Sequence, residues 1–174
     1  MLKYILLLFL LTDCFADTPA TPFDYIKNSP DGNYTIVILS SADSGHDVNI
    51  RNKYPSSGIY NKDVTLYSKI DKHMWGAFVT NAGIGFGLGQ WAQTDDFEIA
   101  GYYICKDNET IGIKVKDYIK APEELPRSIS HYTSIYAIQY NFEKDRVIII
   151  TLESVAIVYN AKNGVKVDVK KDWW

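Results

Sequence analysis

The chain has 174 residues and a formal net charge of −3, with 47% hydrophobic and 22% charged residues. This composition suits one folded domain with a hydrophobic core and excludes a disordered chain, which would be poor in apolar residues. A mildly acidic net charge gives no electrostatic case for a nucleic-acid partner, which would call for a basic face, so none is expected.

The first 16 residues have the pattern of a secretory signal peptide. Lys3 provides the positive charge, an apolar run follows at 4–11, and Cys14 and Ala16 place small residues at the −3 and −1 positions of a cleavage site. The apolar run is shorter than the ~20 residues of a membrane-spanning helix. We therefore expect a secreted, extracellular protein whose mature chain begins at residue 17.

The mature chain is predicted to contain an extended leader, 17–33, and a single β domain, 34–174. In that domain, short runs of Ile, Val, Tyr and Thr are separated by Gly, Asn, Asp and Pro, which is typical of strands and turns. The predicted strands are 34–40, 47–52, 63–68, 74–80, 82–91, 97–105, 110–118, 134–142, 146–152, 155–160 and 165–169.

The sequence predicts almost no helix. No stretch of eleven or more residues has the helical period, and only a single helical turn is expected, at Glu123 and Glu124. About ten short strands at this spacing predict an all-β protein, either an antiparallel β sandwich or a closed barrel.

Glycine occupies every second position from Gly83 to Gly89, with Ile84, Phe86 and Leu88 between the glycines. In a strand this spacing places all four glycines on one face. Such a face either packs closely against bulky Trp or Tyr side chains of an opposing sheet, or forms a floor under a flat ligand such as a sugar or lipid headgroup.

Histidines offer only a weak case for catalysis. His46, His73 and His131 are scattered, and none is spaced from another like a pair of zinc ligands. The hydrolase motif G-x-S-x-G is missing from the sequence, so no catalytic residue, metal site or cofactor is assigned. The alternative to a binding protein is a secreted hydrolase with His46 and Asp47, or His131, in its site.

Cys105 would be the single cysteine of the mature chain, since Cys14 lies in the signal segment. Alternation along its strand places it on a face with Phe97, Ile99 and Tyr103. We expect a buried, unreactive thiol, and an intermolecular disulfide is the alternative.

Two glycosylation sequons follow turn signals, at Asn33 and Asn108, and both are candidate surface glycan sites in a secreted protein.

Aromatic residues are abundant, with thirteen Tyr and four Trp. Rings at loops and strand ends suit binding surfaces, and a pair of Trp suits a membrane interface. The candidate ligand-binding residues are Tyr54, Tyr60, Trp75, Trp91, Tyr132, Trp173 and Trp174.

The segment Val48–Asn52, followed by Pro55–Gly58 and a second strand, resembles the early hairpin region of aegerolysins. A Gly-rich segment and the pair Tyr102-Tyr103 before Cys105 are similar in layout to the later part of these proteins and of actinoporin-like cytolysins. The resemblance implies a two-sheet β sandwich that binds lipid headgroups. The alternating glycines depart from the aegerolysin pattern.

Together these features predict a secreted, non-enzymatic protein that recognises a membrane lipid or a glycan, in the manner of a cytolysin. Besides the hydrolase, a structural or host-interaction protein without a small ligand is an alternative. The expected partner is a membrane lipid or glycan surface. The ligand and the oligomeric state are left open by the sequence.

Overall fold

The computed structural model describes residues 21–89, 97–126 and 133–171. In these ranges twelve strands form three four-stranded antiparallel sheets, so the predicted all-β, sandwich-like architecture is confirmed. The described sheets are open and do not close into a barrel. No helix of the described ranges is long and apolar enough to cross a bilayer.

Each sheet is a meander in which consecutive strands are neighbours. The first sheet contains β1 (Tyr25–Asn28), β2 (Tyr34–Ile38), β3 (Gly58–Asn61) and β4 (Leu66–Lys69). The second sheet contains β5 (Trp75–Val79), β6 (Gly85–Leu88), β7 (Ala100–Lys106) and β8 (Glu109–Lys114). The third sheet contains β9 (Ile135–Asn141), β10 (Arg146–Thr151), β11 (Ala156–Asn160) and β12 (Lys166–Lys170).

The second sheet is the central layer, because both of its faces are buried. Towards the first sheet the buried cluster consists of Ile36, Ile38, Ile59, Ile70, Met74, Ala77, Val79 and Cys105. Towards the third sheet the cluster consists of Phe78, Ile84, Phe86, Tyr102, Ile104, Val147, Ile149, Ile157, Tyr159 and Ala161. Burial on both faces explains why the central strands are apolar at nearly every position.

The alternating glycines are a packing device between the first and second sheets. A Cβ added at Gly85 would lie 3.2 Å from Cδ1 of both Ile36 and Ile59, and one added at Gly87 would lie 2.8 Å from Cβ of Met74. Side chains without rings therefore cover these two glycines. The aromatic neighbours that the sequence predicted occur at Gly83, where an added Cβ would lie 2.8 Å from the ring of Tyr67 and 3.0 Å from that of Tyr34. Gly83 lies outside the strand, with a φ of +76° that favours glycine.

The strand predicted at 47–52 is wrong, because this segment forms the helix α1 (Val48–Lys53). The carboxylate of Asp47 accepts hydrogen bonds from the backbone N–H groups of Asn49 and Ile50, at 2.8 and 3.1 Å. An N-terminal cap of this kind stabilises a helix. The alternation of Val48 and Ile50, which suggested a strand, marks no buried face, and the segment that resembled a hairpin strand is helical.

Other predicted elements agree more closely with the structure. The helical turn expected at Glu123 and Glu124 is confirmed as a short 3₁₀ helix, Pro122–Glu124. Further 3₁₀ turns lie at Asp43–Gly45 and Val115–Asp117. The segment predicted as an extended leader contributes β1, which pairs with β2 in register from Tyr25 opposite Ile38.

An ion pair fixes the start of β1 to the helix. The buried carboxylate of Asp24 accepts from Nε and one terminal nitrogen of Arg51, at 2.7 and 3.0 Å. It also accepts from the backbone N–H groups of Ser40 and Asp47. Burial by itself raises the pKa of Asp24, but these hydrogen bonds and the charge of Arg51 outweigh burial and lower the pKa to about 2.

Candidate functional site

A cleft of about 850 Å³ lies between the second and third sheets. Its lining comes from β7 and β8 of the second sheet, from β11 and β12 of the third, and from the chain next to these strands. Binding sites for small molecules usually have volumes of ~300–1,000 Å³, so this cleft has the size of a ligand site.

The walls of the cleft are aliphatic. One wall is formed by Ile104, Ile111 and Ile113 of the second sheet. The opposite wall is formed by Ile157 of β11 in the third sheet and by Val155, which precedes that strand. Ile111 and Ile113 point into the cleft together because alternate residues of a strand share one face. Among the described strands β8 pairs only with β7, so it can present partly exposed isoleucines on its cleft side.

Two tyrosines meet in the buried part of the cleft. The hydroxyl oxygens of Tyr102 and Tyr159 lie 2.5 Å apart, and the two residues are 1% and 5% exposed. Burial raises the pKa of Tyr102, as do the charge and the hydrogen bond of Tyr159, and burial also raises the pKa of Tyr159. Both phenols therefore stay neutral near pH 7, and one hydroxyl donates a hydrogen bond to the other.

The rim of the cleft is basic. Its charged lining residues are Lys106, Lys116, Lys120, Lys166, Lys171, Asp117 and Glu153. Five lysines against two carboxylates give a formal charge of +3 in a chain whose net charge is −3. The rim therefore has the opposite sign to the protein as a whole.

Both carboxylates of the rim are engaged with the backbone. Glu153 accepts from the N–H group of Lys120 at 2.9 and 3.1 Å and from that of Ala121 at 3.0 Å. Asp117 accepts from the N–H group of Lys114 at 3.2 Å. These contacts hold the 3₁₀ turn and the loop after it.

The two ends of the cleft differ in charge. Lys106 is the last residue of β7, and Lys166 is the first residue of β12. The side chain of Lys106 lies beside Gly164, because a Cβ added to that glycine would be 3.3 Å from Cδ of Lys106. We call this part of the cleft the Lys106–Lys166 end, and both of its charged lining residues are cations. We call the other part the Glu153 end, where Asp117 and Glu153 accompany the remaining three lysines.

The candidate aromatic residues lie away from the cleft where the structure describes them. Tyr54 and Tyr60 are 4% and 2% exposed, and their rings pack 4.8 Å apart beside the first sheet. The hydroxyl of Tyr60 donates to the carbonyl of Ser56. Trp75 is partly buried at the start of β5, with its ring 4.9 Å from that of His73. Ligand contact by these rings remains a prediction.

Trp91, Tyr132, Trp173, Trp174 and His131 lie outside the described residues, as does the predicted signal segment, 1–16.

Of the two histidine sites of the hydrolase alternative, the one with His46 and Asp47 lies within the described residues, and the alternative remains a prediction. His46 is exposed and its Nε2 lies 3.8 Å from the carboxylate of Asp43, while Asp47 caps α1. In residues 21–89, 97–126 and 133–171, no group of three or more His, Cys, Asp or Glu side chains is placed to hold a metal ion.

Cys105 is buried in the layer between the first and second sheets, as predicted, and is a free thiol. Burial raises the pKa of this thiol to about 11, although a hydrogen bond with Thr110 opposes the shift. Tyr103 shares its buried cluster, whereas Phe97 and Ile99 pack in a separate cluster because β7 begins only at Ala100.

Both sequon asparagines are exposed. Asn33 lies in the turn before β2, where its side-chain nitrogen donates to Asp31 at 2.7 Å. Asn108 lies in the turn between β7 and β8, with a φ of +62°. Glycosylation at either residue remains a prediction.

The cleft was missed by the sequence analysis. The available signal was the alternation of Ile111 and Ile113 in a strand bounded by lysines, together with the lysines that flank Val167 and Val169. Neither pattern indicates that the two strands face each other across a gap.

Comparison with protein-family models and with curated proteins found no match to this chain.

Proposed function

We propose that this protein is a non-enzymatic binding protein that holds the apolar chain of a lipid in the cleft between the second and third sheets. The observation that carries the proposal is the aliphatic wall of Ile104, Ile111, Ile113 and Ile157 in a gap of about 850 Å³. Ile104 and Ile157 are already buried at the base of this wall, whereas Ile111 and Ile113 stay partly exposed to water unless a ligand covers them, and covering them is favourable.

The chemistry of the walls favours a lipid over a glycan. A sugar needs hydrogen-bond partners for its hydroxyl groups, and leaving polar groups unpaired on burial costs free energy. The isoleucine side chains have no such groups, and the buried hydroxyls of Tyr102 and Tyr159 share one hydrogen bond, which leaves a single O–H group to donate to a ligand. An alkyl chain loses no hydrogen bonds on entering this cleft.

The gain from burial is large enough for specific binding. Each methylene group transferred from water contributes about 0.8 kcal/mol, so eight buried methylenes contribute roughly 6 kcal/mol before the costs of association. Charged groups at the rim add to this value when the ligand has a complementary head.

The carboxylates and tyrosines that line the cleft favour binding over catalysis. The two carboxylates of the cleft accept backbone hydrogen bonds, and its tyrosines are held neutral. Export, if directed by residues 1–16, would place the cleft outside the cell, where a membrane is the natural source of lipid. Recognition of a membrane lipid is therefore the form of the proposal that fits the sequence.

The proposal is tested with a neutral fluorescent probe, N-phenyl-1-naphthylamine, and with 1-decanol as a competitor. We expect the probe to gain fluorescence with the protein and 1-decanol to displace it. Ile113→Trp fills the cleft with a larger side chain and should weaken probe binding about tenfold or more. Lys114→Trp is the matched control, because Lys114 is exposed on the same strand and does not line the cleft.

Equal probe affinity of the wild-type protein, Ile113→Trp and Lys114→Trp would show that the probe binds elsewhere and would overturn the proposal. Circular dichroism of each variant establishes that the fold is retained, so that a loss of binding is read only from folded protein.

A further inference from the structure

We infer that the lipid taken by the cleft has a phosphate monoester headgroup, which Lys106 and Lys166 bind while the chain lies against Ile111 and Ile113. This inference rests on the proposed function and adds the class of headgroup and the direction in which the lipid enters.

The Lys106–Lys166 end is built for an anion. Its two ammonium groups are the only charged groups among the described residues that line this end of the cleft. Nζ of Lys106 donates to the carbonyl oxygen of Asn163 at 3.3 Å, which positions the side chain and leaves two of its three N–H groups for a ligand. Lys166 is exposed, at the first position of the edge strand β12.

Among the described residues no carboxylate forms an ion pair with these two lysines. Glu109 lies directly opposite Lys106 across the β7–β8 hairpin, but Nζ of Lys106 donates to the carbonyl oxygen of Asn163 instead. Asp145 is paired with Lys162, at 2.8 Å. The positive charge at this end of the cleft is therefore available to a ligand.

The Glu153 end is a poorer place for an anionic head. Asp117 and Glu153 line it, and their negative charges would repel a phosphate. Lys116, one of the three lysines there, is already paired with Glu98. Charge therefore orients the lipid, with its head at the Lys106–Lys166 end and its chain extending along the isoleucines of β8.

Phosphate suits the two lysines better than a carboxylate or a neutral head. Lysine binds phosphate as a compact point charge with several donors, and a phosphate monoester carries close to two negative charges at neutral pH. Two lysines can therefore balance it fully, whereas a carboxylate head would balance only one of them.

The test compares decyl phosphate, decanoate and 1-decanol as competitors of N-phenyl-1-naphthylamine, at concentrations below those at which they form micelles. We expect decyl phosphate to bind about tenfold more tightly than 1-decanol, with decanoate between them. The double variant Lys106→Gln/Lys166→Gln should lose this preference and keep the affinity for 1-decanol. The control Lys62→Gln/Lys72→Gln makes the same change in net charge at exposed residues outside the cleft and should keep the preference.

Three results would overturn the inference while the proposed function stands. The first is equal affinity of the wild-type protein for decyl phosphate and 1-decanol. The second is loss of the preference in Lys120→Gln/Lys171→Gln instead, which would place the head at the Glu153 end. The third is competition by inorganic phosphate as strong as that by decyl phosphate, which would show a site for free phosphate. If none of the alkyl compounds binds, the proposed function fails and the inference fails with it.

Discussion

Valine at Gly85 or Gly87 would place new methyl groups into the contact between the first and second sheets. At Gly85 the new Cβ would lie 3.2 Å from three carbon atoms, of Ile36, Ile59 and Cys105. At Gly87 it would lie 2.8 Å from Cβ of Met74 and 3.0 Å from Cβ of Ala77, which are both fixed to the main chain. Gly87→Val should therefore be the more damaging change.

Overpacking of a buried contact costs about 1–3 kcal/mol, so we expect about 1–2 kcal/mol at Gly85 and about 3 kcal/mol at Gly87. The smaller value at Gly85 follows because two of its three neighbours are the terminal methyl groups of isoleucines, which can move. For a protein of this size, 1 kcal/mol corresponds to a change of roughly 2–4 °C in Tm.

Urea unfolding, followed by circular dichroism, measures these differences, and Lys69→Val is the control because Lys69 is an exposed strand residue of β4. A double-mutant cycle tests the cause. Ile36→Val removes the Cδ1 atom that a side chain at Gly85 would meet, so Gly85→Val should cost less in that background. Strictly additive effects, or an unchanged Tm for both glycine variants, would refute the close packing described above.

Two further predictions concern buried ionisable groups. Because the pKa of Asp24 is lowered from 3.8 to about 2, its contribution of about 2 kcal/mol to stability is present above pH 4 and is lost as the pH falls towards 2. Asp24→Asn should therefore be less stable than the wild-type protein at pH 7 and approach it near pH 2; a gap in urea-unfolding free energy that is constant with pH would contradict this. With its pKa near 11, Cys105 should react with a disulfide reagent at pH 8 only after denaturation, and non-reducing electrophoresis should show a monomer. Rapid labelling of the native protein, or a covalent dimer, would show the thiol to be accessible.

The all-β architecture was determined by local pattern. Short runs of β-branched residues such as 147–150, bounded by turn residues, favour strands and disfavour helices wherever they recur. The burial of Cys105 could be predicted in the same way, since one face of its strand is apolar. The short alternating segment around Val48 and Ile50 could form either a strand or a helix, and the strand prediction was wrong. The side chain of Asp47 caps this segment and stabilises it as a helix.

The cleft, in contrast, was decided by tertiary structure. Ile111 and Ile113 lie more than forty residues before Val155 and Ile157, and each pair is an ordinary half of a strand pattern. Only the packing of the third sheet against the second brings them to opposite walls and places Lys106 beside Gly164. Local sequence determines which face of a strand is apolar. Whether that face packs against another sheet or lines a cleft depends on how distant segments fit together, because close packing depends on the shapes of side chains across the whole core.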